Sequence, residues 1–396
     1  MRRSGHDGRR AMTAAGRLRF AALDSWRGLA ALGVAFHHVS GTAPLLANPF
    51  HDNLSRGVDF FFVLSGFVIA FSYGDRLARG YSMARFLLLR WGRIWPLHAA
   101  MVLAYLVLEC GLLAAWPTGG PGGGPGGRIP FTGPRDLAAL PASLLLVQDW
   151  IWPGRDLWNV QSWSVSVELA LYIVAALAWR ALGRRALALG AGFALALGLA
   201  DLGGAAPLPD HFLRGLIGFG LGMGCWALWP RLAPSGPARG VGSVMPGLVE
   251  LGLVVVVVIL IARDAPLLPL DLAFAAMVLV FAREQGALSA LLRTAPLRWL
   301  GVLSYGLYMV HGLVFGRIFD GLALAQQRLG GQWVAAAPGG EALLLLPALP
   351  SALLVAVMMA VALACAWLAG RLIEWPARNL SRRIAGSMGR LASVAA

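Results

Sequence analysis

The chain contains no lysine: all 33 of its basic residues are arginine. That absence removes two chemistries at once, because neither a Walker-type phosphate lysine nor a lysine Schiff base is available. Charge is scarce as well, at 13% of residues against about 25% in an average soluble domain. Hydrophobic residues make up 58% and the mean hydropathy is +0.69, a balance suited to lipid and not to water. Only three cysteines occur, Cys110, Cys225 and Cys365, each isolated within or beside an apolar run. They lack metal-ligand spacing and read as packing residues. The histidines and carboxylates fall on separate predicted helices without ligand spacing, so no metal is expected.

What is present is a series of apolar runs. They predict an all-α, polytopic integral membrane protein with about ten transmembrane helices. The runs lie near residues 26–46, 57–73, 94–115, 163–180, 186–203, 212–229, 247–262, 267–282, 300–318 and 343–370. With both termini cytoplasmic, the inner segments hold 25 of the 33 arginines and the outer ones 8, which is the orientation the positive-inside rule selects. The N-terminal "MRRSGHDGRRAMTAAGRLRF" reads as a cytoplasmic tail and not a removed signal. The chain thus divides into a basic tail over 1–22, a transmembrane domain over 23–378 and a second basic tail over 379–396. The net charge of +14 is spread over short loops, so topology explains it and nucleic acid is not an expected partner. Abundant Ala, Gly and Pro beside an all-arginine basic set point to a GC-rich bacterial genome and a multi-pass protein of the inner membrane. The string "GGPGGGPGGRIP" lacks the GK[ST] and strand-to-helix context of a phosphate loop and reads as a flexible loop. Residues 138–148 are apolar but too short to span, and are expected to be re-entrant or interfacial.

Several polar residues fall where lipid makes them expensive. In "LDSWRGLAALGVAFHHVS", Arg27 and His38 lie about 20° out of line on a helix and roughly 16 Å apart, so they share a face, while His37 points about 80° away from Arg27. On the second span Asp59 is expected near the outer surface, with Ser65 and Gly66 deeper, suited to close helix packing or to a direct role. In "RFLLLRWGRIWPLH", Arg90 and Arg93 share a face at the cytoplasmic mouth, either as a solvated topology anchor or as paired guanidiniums that grip phosphates with fork geometry. "SWSVSVELALY" aligns Ser164, Glu168 and Tyr172, with Trp163 as a further candidate or an interfacial anchor. "LGVLSYGLYMVHG" aligns Ser304, Tyr308 and His311 on one stripe.

These fragments, with the terminal "EWPAR", resemble in order and over nearly the whole chain the acyltransferase-3 family of integral-membrane O-acyltransferases. The resemblance implies about ten core helices and transfer of an acyl group, often acetyl, from cytoplasmic acyl-CoA to a hydroxyl of a carbohydrate or lipid-linked glycan of the envelope. It matches Arg27 and His38 to the family's arginine and histidine of the first span, Arg90 and Arg93 to its arginine pair, and Trp163 and Glu168 to its tryptophan and glutamate. Trp26 stands where the family commonly has leucine, and His37 adds a second imidazole. The esterase-like C-terminal extension of some relatives has no counterpart after the last span.

The residue types then supply a mechanism. An imidazole can accept a proton from an attacking hydroxyl at neutral pH, or take the acyl group itself. His38 and Glu168 are the expected catalytic pair, with Glu168 orienting the imidazole or the acceptor. Arg27, Arg90, Arg93, Trp163, Ser65, Tyr308 and His311 are expected to bind substrate. No permanently bound cofactor is expected, only acyl-CoA, chiefly acetyl-CoA, as co-substrate. The rival reading is a proton-coupled transporter of an anionic or glycan substrate, with Glu168, His38 and His311 as relay; the internal repeat such a carrier often shows is not seen.

Overall fold

Long runs of Leu, Val, Ala and Phe leave backbone groups no partner in lipid except an intrahelical ladder, and the chain is helical almost throughout. The computed structural model describes residues 20–115, 129–232, 244–336 and 342–394. Its principal helices are α1 (Ala21–His37), α2 (Gly57–Ile69), α3 (Met83–Ala115), α4 (Trp163–Leu182), α5 (Arg185–Leu202), α6 (Asp210–Leu232), α7 (Val244–Ala262), α8 (Leu267–Phe281), α9 (Ala295–Leu329), α10 (Ala348–Ala369) and α11 (Trp375–Val394). Eight helical stretches among the described residues are long and apolar enough to cross a membrane. The two remaining predicted spans are α1, with 17 residues, and α8, with 15. The molecule is an all-α, polytopic membrane protein. The basic stretch 1–19 and most of the Gly-rich string lie outside the described residues.

Four spans differ clearly from the expected ones, among them the ninth, where α9 runs on to Leu329 past the predicted end at 318. The first apolar run does not continue as helix to residue 46: α1 ends at His37, and Ser40–Gly41 forms strand β1. This strand pairs in parallel with β3 (Ala342–Leu344), which pairs antiparallel with β2 (Val334–Ala336). The last run accordingly starts as strand, and α10 begins only at Ala348. The third helix starts eleven residues before the predicted span, at Met83, which places Arg90 and Arg93 within α3. Residues 138–151 form short helical turns, Leu140–Leu144 and Gln148–Ile151, too short to cross and consistent with an interfacial piece. They are pinned to α3 by His98 Nε2 on the Ser143 carbonyl (2.5 Å) and by Trp95 Nε1 donating to the Leu144 carbonyl (2.8 Å).

Close helix contacts fix the directions. A Cβ on Gly301 would sit 2.2 Å from the Asp24 carbonyl oxygen, so α1 and α9 touch backbone to backbone. A Cβ on Gly222 would sit 2.0 Å from the Val63 carbonyl oxygen, and one on Gly66 the same distance from that of Phe219, so α2 and α6 do likewise. In these contacts small residues replace the hydrophobic effect, which does not drive helices together in lipid. The pairs Asp24–Gly301 and His38–His311 make α1 and α9 parallel. The pairs Asp59–Arg214 and Val63–Gly222 make α2 and α6 parallel to each other, and α4 follows them through Ser65–Glu168 and Phe62–Trp163. Since Gly57 packs on Ala30 and Val34, near the C-terminal end of α1, the starts of α2, α4 and α6 lie at the His38 end of the bundle, and Arg27 lies at the other.

Two π-helical turns interrupt this regularity, at Ala70–Gly74 and Gly370–Glu374. Such turns often accompany functional sites because the extra residue re-aims a side chain. The first carries Tyr73 toward α3, where Arg90 Nη2 donates to its hydroxyl at 3.3 Å.

Of the cysteines, Cys225 is buried as expected of a packing residue, whereas Cys110 faces outward from α3 and fills no gap inside the molecule.

Candidate active site

Polar residues on α1, α2, α3, α4 and α9 converge on one cavity of about 840 Å³, its open mouth included. Each reaches it by the helical spacing read in the sequence. Arg90 and Arg93, three residues apart, both line it; so do Ser164, Glu168 and Tyr172 at intervals of four. Ser65 from α2, Arg27 from α1, and Ser304 and Tyr308 from α9 complete the polar lining, and Val58, Phe61, Phe62 and Ile94 supply apolar wall. Tyr305 also lines it, its hydroxyl donating to the Ile94 carbonyl.

The three arginines are held differently. Arg27 Nε donates to Ser304 Oγ at 2.9 Å, its Nη2 donates to the Gly301 carbonyl at 2.9 Å, and the same nitrogen lies 3.4 Å from Asp24 Oδ1. It is therefore committed to joining α1 and α9. Arg90 is half committed, through Tyr73, whose ring it also overlies at 5.1 Å. Arg93 has neither a hydrogen bond nor an ion pair to a protein group among the described residues, so its fork of donors is available to a ligand. On the cavity wall Glu168 Oε1 accepts from Ser65 Oγ and from Tyr172 Oη, each at 2.5 Å, and the two hydroxyls are 3.3 Å apart. These two short bonds fix the orientation of the carboxyl group.

The histidines lie beyond the cavity at the opposite end from Arg27. His38 caps α1 and is half-buried, and its Nδ1 donates to the Val34 carbonyl at 2.8 Å. Its ring centroid is 4.9 Å from that of His311, which is completely buried. His311 Nδ1 donates to the Leu307 carbonyl at 3.0 Å, leaving Nε2 buried without a hydrogen-bond partner. A carbonyl can only accept, so both rings carry a proton on Nδ1, and in the neutral form of either ring Nε2 is the basic atom. Tyr308 connects this pair to the cavity: its ring is 6.1 Å from His311, and its hydroxyl lies 2.7 Å from Ser164 Oγ. His37 turns away, toward the His51 carbonyl at 3.2 Å.

Of the residues singled out in the sequence, Arg27, Ser65, Arg90, Arg93, Glu168 and Tyr308 meet in the cavity. His38, His311 and Trp163 lie outside its wall. Trp163, partly exposed at the start of α4, stacks on His211 at 3.9 Å with the rings 16° from parallel. Gly66 is explained by packing, while its neighbour Ser65 serves Glu168. Asp59, in the first turn of α2 at the His38 end of the bundle, is wholly buried among the helices and ion-paired with Arg214 at 2.8 Å and Arg56 at 3.5 Å. Sequence reading did not name Tyr73, Tyr305, Arg214, Asp149 or His211. Arg214 and His211 open α6 four and one residues after Asp210, a signal visible only once a partner carboxylate is known. No group of three or more His, Cys, Asp or Glu side chains suited to a metal ion occurs among the described residues.

Comparison with known proteins places this cavity in context. The family model described as "Acyltransferase domain", Acyl_transf_3, matches residues 20–371. "Acyltransferase MdmB" of Streptomyces mycarofaciens is 35% identical over 129 residues, 32% of this chain and 28% of that protein. "Protein 2 in picA locus" of Rhizobium radiobacter is 36% identical over 107 residues, 25% of this chain and 51% of its own length. The chain therefore spans between about a quarter and a half of the length of these relatives. No solved structure matches.

Proposed function

Because the chain belongs to the acyltransferase-3 family and is a multi-pass membrane acyltransferase, we propose that it moves an acyl group, chiefly acetyl, from cytoplasmic acyl-CoA to a hydroxyl of a carbohydrate or lipid-linked glycan of the bacterial envelope. The single observation that carries this reading is the convergence of Arg27, Arg90 and Arg93 on a cavity whose wall includes Ser164 and Tyr308, the latter in ring contact with one of a pair of imidazoles that lie beyond that wall. Guanidiniums suit the phosphates of a CoA donor, and an imidazole suits deprotonation of an alcohol. The arginine distribution supports a cytoplasmic location for the guanidinium end, the side on which acyl-CoA would be met.

In the chemistry, the acceptor oxygen attacks the thioester carbonyl and the carbon–sulfur bond breaks. His38 Nε2 takes the acceptor's proton and returns it to the CoA thiolate; in the covalent alternative Nε2 itself displaces the thiolate from the thioester carbonyl, and the acceptor oxygen then attacks the acyl-imidazole, its proton passing by way of the released ring to the thiolate. Glu168, anchored by Ser65 and Tyr172, orients the reacting groups within the cavity. Acyl-CoA is a co-substrate, and no resident cofactor is invoked. Family membership displaces the transporter reading, which no observation favours.

The test is direct. Membranes containing the protein should transfer label from [1-¹⁴C]acetyl-CoA to unacylated envelope extract from a strain lacking the gene. Absence of incorporation by well-inserted protein, across acyl-CoAs of increasing length, overturns the proposal.

A further inference from the structure

Outside the cavity, one cluster of chemistry-bearing side chains is built and unused. His211, the second residue of α6, has its Nδ1 2.6 Å from Oδ1 of Asp149. A carboxylate oxygen can only accept, so this nitrogen carries a proton, and in the neutral ring Nε2 is the atom that presents a lone pair. Asp149 is completely buried, and its Oδ2 has no hydrogen-bond partner. The imidazole is 15% exposed, and its Nε2 is neither hydrogen-bonded to protein nor among the buried polar atoms. One face of the ring lies on Trp163. The Arg214 guanidinium, 5.1 Å from the same indole, is held in turn by Asp59. A histidine clamped by a buried carboxylate and a parallel indole has lost its rotational freedom, and the same device elsewhere fixes imidazoles that must present one nitrogen to a substrate.

The location supplies the partner. Trp163 immediately precedes Ser164, which lines the cavity and contacts Tyr308. The α4 and α6 starts are at the His38 end of the bundle, so His211 is at the end away from Arg27, Arg90 and Arg93. A donor held by its phosphates would occupy the arginine end, and the second substrate must approach from the other. We infer that the Asp149–His211 pair on Trp163 is an acceptor subsite, in which His211 Nε2 accepts a hydrogen bond from a hydroxyl of the incoming polyol and Asp149 is the positioning residue behind it. This inference rests on the acyl-transfer reading and adds to it a place for the acceptor.

A purely structural ion pair, tying the 129–162 segment to α6, is the competing explanation, and the two differ in a measurable way. The acceptor probe is unacylated envelope extract from the deletion strain, titrated against full-length protein in nanodiscs with labelled acetyl-CoA. His211→Phe combined with Asp149→Leu removes the dyad without leaving a buried charge unpaired, and keeps an aromatic ring on Trp163. The subsite predicts at least a tenfold rise in the apparent KM for extract, with the KM for acetyl-CoA within twofold of wild type. A structural pair predicts that this double variant restores both constants, and that result overturns the subsite. Asp149→Asn, which keeps the shape, should raise the extract KM by a smaller factor and leave the acetyl-CoA KM alone; equal changes in both constants would also overturn it. If the wild-type protein itself transfers no label, the acyl-transfer reading fails and the subsite falls with it, whereas active wild type with an unchanged double variant refutes the subsite alone.

Discussion

Arg93 is the guanidinium most available to a ligand, and its removal should be felt almost wholly in donor binding. Arg27 is engaged by Ser304, Gly301 and Asp24, and Arg90 by Tyr73, so truncating either also breaks bonds within the protein. Arg93 lines the same cavity without such an acceptor, so Arg93→Ala removes little from the fold. A hydrogen bond to a charged group is worth about 1.5–3 kcal/mol, and each 1.4 kcal/mol is about tenfold in affinity. Removing one such bond to a phosphate therefore raises the apparent KM for acetyl-CoA by roughly 10- to 150-fold. Arg93→Lys keeps the charge and loses the planar fork, and should fall between the two. The assay is acetyl-CoA-dependent label transfer in nanodiscs at saturating envelope extract, with the thermal transition of each variant recorded alongside. A KM within twofold of wild type in a normally folded Arg93→Ala protein would refute the assignment of this residue to the donor.

Two further perturbations test the framework that holds the site. Gly222→Ala places a methyl 2.0 Å from the Val63 carbonyl oxygen and must push α6 off α2; overpacking of this kind costs about 1–3 kcal/mol or more, read as a lowered unfolding temperature in detergent. An unchanged transition would show that the two helices do not touch backbone to backbone. Asp59→Ala leaves Arg214 and Arg56 without their buried carboxylate, a loss of about 3–5 kcal/mol that should appear as poor insertion or a sharply lowered transition, and Asp59→Asn should recover part of it. Full stability of the alanine variant would show that the ion pair does not support the fold.

Much of this architecture was legible in the sequence because lipid imposes a severe rule: apolar runs become helices, and charges within them must face protein. The shared face of Arg27 and His38 follows from helical geometry, and both do turn toward α9, one to Ser304 and the other to His311. The stripe Ser304, Tyr308, His311 is for the same reason a continuous path along α9. Where the reading fell short, the cause was pairing between distant parts of the chain. The end of α1 at His37 depends on strand pairing with Leu343 and Leu344, some 300 residues on, which no local pattern announces. Asp149 sits in a four-residue helical turn within an irregular segment and His211 at a helix start, and only tertiary folding brings them within 2.6 Å. Tyr73 owes its place to a π turn, whose extra residue breaks the 3.6-residue register on which sequence reasoning relies.

The most direct test of imidazole-dependent transfer is label movement from [1-¹⁴C]acetyl-CoA to envelope extract by wild-type and His38→Ala proteins reconstituted at equal, verified insertion. Transfer by the variant should fall to background while its thermal transition stays within a few degrees of wild type. Near-normal turnover by a correctly inserted His38→Ala protein would contradict the central role given to that ring.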